Sequence, residues 1–594
     1  MYESSDPRFR DLLAGALSGR LTRRQVFRRG LALGVSAGAM SFLLEACGSS
    51  SSSSSSSSSA ASTSSSGSSG TATSAASSGS PAATSASSGG TPKQGGSIII
   101  GTLGEASSIN PLVANESEGL FRCKQLFDLL VRISPKDLKP APGIAKSWDV
   151  NGLTYTFHLQ ENAKFSDGSS LTADDVAFTI ESILAKKTAS PNQSRLLTIK
   201  GAQDFANGTT QSVEGLKIVD PNTLQITLAQ PDASFLFNLR YVMPVPKKLL
   251  QGQDLSLASK NSFFQKPIGA GPFKFVSWNV GGDFVAERNP NFYGAPEPYL
   301  DKFTHRVIAD SDSLVNSLLS GGIDGSIYAN PAGIDQLKSN SDLVVLVPPF
   351  GSPDGWQFNF KNPYLAKKEV RQAVAYAMDM SQFAKDSLYG LGKPGTGPIA
   401  PGSYAYDKSL QPWPYDLDKA KSLLQQAGTP PSGIKFVSNQ GNVLRQDFLT
   451  YTQSQLAKIG WKIDPELQEY ATLTNNIINK NYDVAESQEV GSGADLDPGE
   501  LYNIYSTGGS ENFTGYTNPA LDKLLQQAQQ ELDIAKQIPL YAQIQQTIVQ
   551  DVPATFSWYR PYIHVVKKKF GGYVDTNALP EGLFTEMEKW YIKS

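Results

Sequence analysis

Cysteine, histidine and net charge are all scarce in this chain of 594 residues. The two cysteines, Cys47 and Cys123, are too few to build a disulfide framework. The histidines at 158, 305 and 564 are far apart and lack the spacing typical of metal ligands. The 52 basic and 55 acidic residues leave a net charge of −3, without the basic excess of nucleic-acid-binding proteins. The sequence therefore predicts no nucleic-acid partner, no metal site and no cofactor.

Apolar residues, by contrast, are numerous enough for a large folded protein. Hydrophobic residues make up 40% of the chain and aromatic residues 10%. The 499 residues from Gly96 onward are more than one hydrophobic core usually organises, so two or more domains or lobes are expected. This part contains no G-x-S-x-G elbow, no H-E-x-x-H zinc motif and no Walker A motif. We therefore expect a protein that is not an enzyme.

Residues 1–47 have the features of an export signal. Seven arginines and four acidic residues give this stretch a charge of +3, and Arg23 and Arg24 are adjacent. The apolar run at 31–44 has 14 residues, too few to span about 30 Å of hydrocarbon as a helix. The small residue Ala46 precedes Cys47, and a linker follows the cysteine at once.

The paired arginines resemble a twin-arginine signal, and the end of the segment resembles a bacterial lipobox. The resemblance implies that Cys47 is lipidated and anchors the mature protein to a membrane. Glu45, two residues before the cysteine, departs from the usual lipobox pattern. The alternative is an uncleaved amino-terminal helix with a buried cysteine.

Residues 48–95 are predicted to form a disordered linker. Of these 48 residues 24 are serine, most of the others are Gly, Ala, Thr or Pro, and Lys93 is the one charged residue. Such a composition cannot bury enough apolar surface to offset the entropy lost on ordering. A flexible coil of this length spans about 40 Å, so it is expected to act as a tether behind a lipidated cysteine.

From Ser97 onward, predicted strands and helices alternate, which favours an α/β fold. Alternating apolar residues predict a strand at 153–159, and Thr172 followed by two acidic residues predicts a helix start. Two strands at 273–278 and 284–288 are joined by a pair of glycines, a hairpin signal. Apolar spacing predicts further helices at 120–131, 369–378, 418–427, 446–459 and, with a break, 521–550. Gly428 and Gly460 are expected to end two of them.

Seven sequence blocks, in order over nearly 480 residues, resemble the family 5 extracellular solute-binding proteins of ABC importers. This family includes the peptide- and nickel-type receptors. The blocks are SINP at 108–111, PGIAKSW at 142–148, TYTFHL at 154–159 with KFSDG and LTADDV up to 176, GPFK at 271–274 with ERNPNFY at 287–293, VRQAVAYAMD at 370–379, DKAK at 418–421, and GYTNP at 515–519.

The resemblance implies a two-lobed periplasmic-binding-protein-like fold of the large class, in which an extra subdomain is inserted in the first lobe (lobe I). Two chain crossings would form a hinge between the lobes, and the lobes would close around the ligand. The expected divisions are 96–130, 235–345 and 560–594 for lobe I, 131–234 for the inserted subdomain, and 346–559 for lobe II.

The leading candidate for ligand contact is an aspartate in the segment 493–498. In peptide-binding members, an aspartate of the matching motif pairs with the ligand's α-ammonium, and Asp495 matches it. The spacing to Pro498 is one residue shorter here, so Asp497 is the alternative. Either carboxylate would select for amines through a desolvated charge pair. The competing interpretation is a loop carboxylate that caps the helix at 499–505.

Five further residues are candidates for ligand contact. Asn115 lies in a loop whose counterpart in the family offers backbone groups to an extended peptide, much like strand addition, and a solvated loop without ligand contact is the alternative. Trp356 precedes the strand that opens the second lobe and is expected to stack on ligand or to pack in the core. Asn442 and Arg445 stand where a loop meets a helix, and Arg445 is the candidate partner of a ligand carboxylate. Tyr502 is a further aromatic candidate.

The predicted function is capture of a small solute, with a peptide favoured, and its delivery to the permease subunits of an ABC transporter. The expected protein is a monomeric lipoprotein on the outer face of the cytoplasmic membrane, facing the periplasmic or extracytoplasmic side. A nickel complex, a sugar or another solute is the alternative ligand. A sensory protein that presents its ligand to a membrane receptor is the alternative function.

Overall fold

The computed structural model describes residues 92–256, 261–347, 351–487, 491, 493–494, 496–574 and 584–593. All of them belong to one compact unit, Ser87–Ser594. The predicted signal, Cys47, most of the linker and Asp495 lie outside the described residues. Within the described ranges, no helix is both long and apolar enough to cross a membrane.

The strands, in chain order, are β1 Ser97–Thr102, β2 Val131–Ile133, β3 Pro140–Pro142, β4 Ala145–Asn151, β5 Thr154–Leu159, β6 Leu216–Asp220, β7 Thr223–Thr227, β8 Phe273–Trp278, β9 Asp283–Arg288, β10 Lys302–Val307, β11 Gly325–Ser326, β12 Leu343–Leu346, β13 Pro353–Phe358, β14 Lys393–Pro394, β15 Lys435–Asn439, β16 Asp464–Gln468, β17 Val484–Ser487, β18 Trp558–Tyr559, β19 His564–Lys567, β20 Phe570–Gly571 and β21 Tyr591–Ile592.

The α-helices are α1 Ser117–Phe127, α2 Ala173–Leu184, α3 Ala202–Asn207, α4 Phe235–Asn238, α5 Lys247–Leu250, α6 Ser311–Leu319, α7 Ile334–Ser339, α8 Lys368–Ala377, α9 Met380–Ser387, α10 Leu417–Ala427, α11 Val443–Lys458, α12 Tyr470–Ile478, α13 Glu500–Tyr505, α14 Pro519–Gln530 and α15 Ile534–Asp551.

The first lobe is built on a seven-stranded sheet in the order β12-β19-β11-β1-β10-β9-β8. β1 is central because it pairs in parallel with both β10 and β11. Its isoleucines Ile98 and Ile100 are fully buried, as expected for an inner strand of a covered sheet. The glycine-linked hairpin predicted from the sequence is confirmed: β8 and β9 pair antiparallel, and Gly281 has the positive φ that the turn requires.

A four-stranded antiparallel sheet, β4-β5-β7-β6, is inserted between β3 and β8 of the first lobe. On β5, Phe157 and Leu159 are buried, which confirms the predicted alternation. Helix α2 begins after Thr172, as predicted, and the Asp175 carboxylate accepts the Thr172 backbone N–H at 2.9 Å. The apolar side chains of this insertion pack in one continuous core with those of β1, so the insertion is an outgrowth of the first lobe.

The second lobe is built on a six-stranded sheet in the order β14-β18-β13-β17-β15-β16. Its core includes Trp356 on β13 and Trp558 on β18, both fully buried. The break predicted within 521–550 is confirmed, because α14 ends at Gln530 and α15 begins at Ile534. Gly428 and Gly460 follow α10 and α11 with positive φ, as predicted.

The chain crosses between the two sheets from β12 to β13 and returns from β18 to β19. Two crossings are the arrangement expected of a hinged pair of lobes. One sequence prediction needs correction here: the helix expected at 120–131 is α1, which begins at Ser117 and ends at Phe127. It ends there because Asp128 has φ +59, a positive value that an α-helix cannot continue through, and Val131 then begins β2.

Candidate functional site

Four cavities lie along the face between the lobes. The large cavity, of about 1160 Å³, is lined by α1, by residues 584–586 and Glu588, and by Gly493 and Leu496 of the second lobe. The other three, of about 490, 410 and 380 Å³, are each lined by Arg445, Arg560 or both, and we call them the arginine cavities. Asn115 lines both the large cavity and one arginine cavity, so these two adjoin at this residue, and we call the four cavities together the cleft.

Two arginines of the cleft share one buried carboxylate. Arg445 stands in the first turn of α11, and its Nη2 donates to Asp354 Oδ1 at 3.1 Å. Arg560 lies in the chain crossing after β18, and its Nε donates to Asp354 Oδ2 at 2.7 Å. On the adjacent strand, Glu486 Oε2 lies 3.1 Å from Arg445 Nε. Asp354 and Glu486 are both fully buried, so these guanidiniums are held in place by groups that solvent does not reach.

This group matches two guanidiniums with two buried carboxylates. Burial raises the pKa of Glu486, although Arg445 acts in the opposite direction. Ion pairing with Asp354 raises the pKa of Arg560 against the effect of burial. Arg445 and Arg560 both line the arginine cavities, so their guanidiniums can donate to an anionic ligand group at this end of the cleft.

The first-lobe wall of the same cleft presents a carboxyl group that forms no ion pair with a lysine or arginine of the described ranges. Glu118, on α1, lines one arginine cavity, and burial raises its pKa to about 8. The Thr102 hydroxyl donates to its Oε1 at 2.6 Å, and His305 Nε2 lies 3.4 Å from Oε2. The Arg122 Nε–H donates to His305 Nδ1, and burial holds the pKa of His305 well below its usual value. His305 is thus a neutral imidazole, and it supplies no positive charge to Glu118.

Three of the residues predicted from the sequence line the cleft together. Asn115 lies between the large cavity and an arginine cavity, while Asn442 and Arg445 line the arginine cavities. The Asn442 Oδ1 caps α11 by accepting the Arg445 backbone N–H at 3.3 Å. The cap fixes the start of α11 and so places the Arg445 side chain at the cleft.

Trp356 has a different place from the one expected of a ligand contact. Its side chain is fully buried between Phe436 and Phe448, with ring centroids 5.1 Å away in both cases. The indole N–H donates to Thr452 Oγ1 at 2.9 Å, so its polar atom is also satisfied inside the lobe. Of the two alternatives for this residue, stacking on ligand or packing in the core, its burial supports core packing.

Asp497 and Tyr502 line none of the four cavities. Asp497 is buried, its Oδ1 accepts the Gly499 N–H at 3.0 Å, and burial raises its pKa. It therefore shapes the turn before α13, while its neighbour Leu496 lines the large cavity. Tyr502 is half-buried against the core formed by α14 and α15.

Sequence reasoning missed the four charged residues Glu118, Asp354, Glu486 and Arg560. Asp354 and Glu486 lie on strands whose residues are all buried, where a carboxylate gives no periodic signal. The signal that was available for Arg560 is its position directly after β18, at the second crossing between the lobes.

The part of the chain that contains the inserted sheet and most of the second lobe matches a known protein family. Residues 139–512, more than half of the chain, match the family model described as bacterial extracellular solute-binding proteins, family 5 Middle. The chain belongs to this family. The family 5 assignment confirms the predicted family, and the structural neighbours confirm the two-lobed α/β fold. Family 5 members are substrate-binding proteins of ABC importers rather than enzymes, and they act outside the cytoplasm.

Two curated relatives of this family 5 protein illustrate the match. It is 29% identical over 527 residues to the oligopeptide-binding protein AppA of Bacillus subtilis. The alignment covers 84% of this chain and 92% of AppA. It is 28% identical over 502 residues to the glutathione-binding protein GsiB of Pectobacterium atrosepticum. That alignment covers 81% of this chain and 91% of GsiB. The solved structure of AppA with a nonapeptide superposes with a TM-score of 0.77 at 27% identity, covering 85% of this chain and all of AppA.

Proposed function

We propose that this solute-binding protein captures a peptide in the interlobe cleft and delivers it to the permease of an ABC importer. The observation that carries the proposal is the charge pattern of the cleft. Arg445 and Arg560 present two guanidiniums at one end. At the other end, Leu496, which follows Asp495 in the sequence, lines the large cavity, and Asp495 is the carboxylate proposed for that end. An extended peptide with a free ammonium and a free carboxylate complements this pattern.

Three contacts are proposed for the bound peptide. Its carboxylate pairs with the Arg445 and Arg560 group, and its ammonium pairs with Asp495 or Asp497. Its backbone runs past Asn115 and Ser117, which both line the large cavity. Between these two residues, the Glu116 carboxylate accepts the Gly119 and Glu118 N–H groups as the cap of α1, so that side chain serves the fold. The names of AppA and GsiB support a peptide as the ligand class.

The double change Asp495→Ala and Asp497→Ala is expected to weaken peptide binding at least tenfold, because an ammonium would enter the cleft unpaired. Isothermal titration with tri- to nonapeptides measures the loss, and mass spectrometry identifies what co-purifies with the protein. The exposed Asp418→Ala change, in the first turn of α10, is the matched control and should leave binding unchanged.

Amino-acetylated peptides should bind the double variant and the unchanged protein equally. Equal loss for free and acetylated peptides would refute the ammonium contact, and no binding of any peptide would refute the proposed ligand class.

We also propose that Cys47 is lipidated and that residues 48–95 tether the protein to the outer face of the cytoplasmic membrane as a monomer. The division of the globule follows the three sheets: 96–130, 235–345 and 560–594 as lobe I, 131–234 as its insertion, and 346–559 as lobe II. The two crossings of the chain between the sheets support these boundaries.

Replacing the proposed lipid acceptor, Cys47→Ser, is expected to move the protein from the membrane fraction to the soluble extracytoplasmic fraction, because no acyl chains are attached. Fractionation followed by immunoblotting measures the shift. Cys123→Ala is the control, since Cys123 is a fully buried free thiol of the globule and its loss should leave the protein on the membrane. Membrane retention of the Cys47→Ser protein would contradict the anchor.

A further inference from the structure

The inserted part of the first lobe and the second lobe meet through two short turns, each held by an aspartate. Asp232 Oδ1 accepts the Ser234 N–H at 2.9 Å, and Asp497 Oδ1 accepts the Gly499 N–H at 3.0 Å. The two turns are in direct contact, because Ser234 Oγ occupies the space where Gly499 would carry a side chain. The two carboxyl groups therefore lie near each other across the boundary between the lobes.

Solvent hardly reaches either carboxyl group, since Asp232 is 2% exposed and Asp497 5%. The Thr198 hydroxyl donates to Asp232 Oδ2 at 2.7 Å, whereas Asp497 Oδ2 has no hydrogen-bond partner among the described residues. The second lobe contributes to the burial of Asp232, because the adjacent Ala233 N–H donates to the Gln529 carbonyl of α14. Opening of the lobes would return both carboxyl groups to water.

The arginines of this interface are bonded to other carboxylates. Arg195 pairs with Glu500 and Glu511, and Arg240 Nη2 lies 2.8 Å from Glu500 Oε1. Together with the two aspartates, four buried carboxyl groups accompany two guanidiniums, an excess of two negative charges when all are ionised. Burial and the charge of Glu500 raise the pKa of Asp497, although Arg240 acts in the opposite direction. A buried excess of negative charge is costly, and protonation is the means of removing it.

The surroundings of Asp232 contain no group that compensates its charge among the described residues. Burial raises the pKa of Asp232 to about 7, and the charge of Asp497 adds to this rise. Tyr155 from the first lobe, and Tyr404 and Tyr541 from the second, also face the pair, and burial raises the pKa of each phenol. These tyrosines are therefore neutral. An aspartate in water has a pKa of about 4, so the closed interface binds a proton more tightly than the open one.

We propose that closing of the lobes takes up a proton at the Asp232 and Asp497 pair, so that acid favours the closed arrangement. The advantage is complete below about pH 4, where the aspartates are protonated in both arrangements. It is lost as the pH rises through about 7, the pKa of Asp232 in the closed interface. This inference concerns the two lobes themselves and goes beyond the proposed capture of a peptide.

Energy transfer between dyes on the two lobes tests the inference in the unliganded full chain. Val219→Cys on β6 and Ile534→Cys on α15 place the dyes at exposed positions of the insertion and of the second lobe. Cys47→Ser removes a competing thiol, and Cys123 is fully buried. The ratio of closed to open molecules is expected to fall at least tenfold between pH 5 and pH 8.

Asp232→Asn keeps the shape of the side chain without its charge. Its ratio of closed to open molecules should change less than threefold over the same range, and at pH 8 it should be more closed than the unchanged protein. A merely structural loss of contact would instead open the lobes at every pH. Asp283→Asn is the control and should follow the unchanged protein, because pairing with Arg306 lowers the pKa of Asp283 and keeps its titration below this range.

The outcomes separate this inference from the proposed ligand class. A ratio that is the same at pH 5 and pH 8 in the unchanged protein, or that rises with pH, overturns the proton uptake. A pH dependence that persists in full in Asp232→Asn overturns the assignment to this pair. Peptide binding does not enter these distances, so a failure of every peptide to bind would refute the ligand class and leave this result as it is.

Discussion

Replacing Arg195 by methionine is expected to lower the free energy of unfolding by about 3–5 kcal/mol. The Arg195 side chain is fully buried, and its guanidinium is bonded to both Glu500 and Glu511. It also lies over the Tyr241 ring, with 4.2 Å from Cζ to the ring centroid. Methionine fills similar space but leaves Glu511 as an uncompensated buried carboxylate and Glu500 with Arg240 alone.

The Arg195 contacts join the two halves of the molecule. Arg195 belongs to the inserted part of the first lobe, whereas Glu500 begins α13 of the second lobe. Two further hydrogen bonds join the inserted part to the second lobe. The Ser194 hydroxyl donates to Asn503 Oδ1 at 3.0 Å. The Ala233 N–H donates to the Gln529 carbonyl at 2.8 Å. These bonds exist only while the lobes lie together. We therefore expect Arg195→Met to shift the protein toward an open arrangement and to weaken peptide binding.

Denaturant unfolding measures the loss of stability, and small-angle scattering measures the opening as a larger radius of gyration. Arg306→Met is the matched control, because Arg306 pairs with Asp283 within the first lobe in a partly exposed position. Such a pair contributes about 0–1 kcal/mol. Equal losses in the two variants, or an unchanged radius for Arg195→Met, would contradict the role assigned to the buried pair.

Asp354→Asn is the second change with a large expected effect. The amide keeps the shape of the side chain but removes the charge shared by Arg445 and Arg560. Two buried guanidiniums would then share the Glu486 carboxylate alone, and burial raises the pKa of that carboxylate. The expected cost is about 3–5 kcal/mol in the unliganded protein.

A bound carboxylate should partly restore the lost stability. A peptide with a free carboxyl terminus is expected to raise the unfolding temperature of Asp354→Asn more than that of the unchanged protein, since it supplies the missing anion. The carboxyl-terminal amide of the same peptide should show no such difference. Thermal unfolding with both peptides is the measurement, and Asp283→Asn is the control at a surface pair. An equal response to acid and amide would exclude the Arg445 and Arg560 group as the carboxylate site.

The parts of the fold that could be predicted depend on short-range signals. The glycine pair between β8 and β9 and the cap of α2 involve neighbouring residues, so the sequence pattern was sufficient. The position of Arg445 at the cleft follows in the same way from the loop that precedes α11.

The rest of the site depends on contacts between distant residues. Asp354 meets Arg445 from 91 positions away and Arg560 from 206 positions away, and no local pattern encodes such pairs. Trp356 shows the converse difficulty. A tryptophan near a lobe crossing suits either ligand stacking or core packing. In the structure the Trp356 indole N–H donates to Thr452, 96 residues away, and this distant contact favours core packing.

The entry point of the chain into the globule decides which lobe the proposed tether would be joined to. The Gly95 N–H donates to the Tyr299 carbonyl at 2.8 Å, and the Gly96 carbonyl accepts from Asp301 N–H at the same distance, immediately before β1. The linker at 48–95 is thus joined to the central strand of the first lobe. Under the anchoring proposed for Cys47, the first lobe is the one joined to the tether, and opening moves the second lobe, which carries Arg445 and Leu496, relative to the joined lobe.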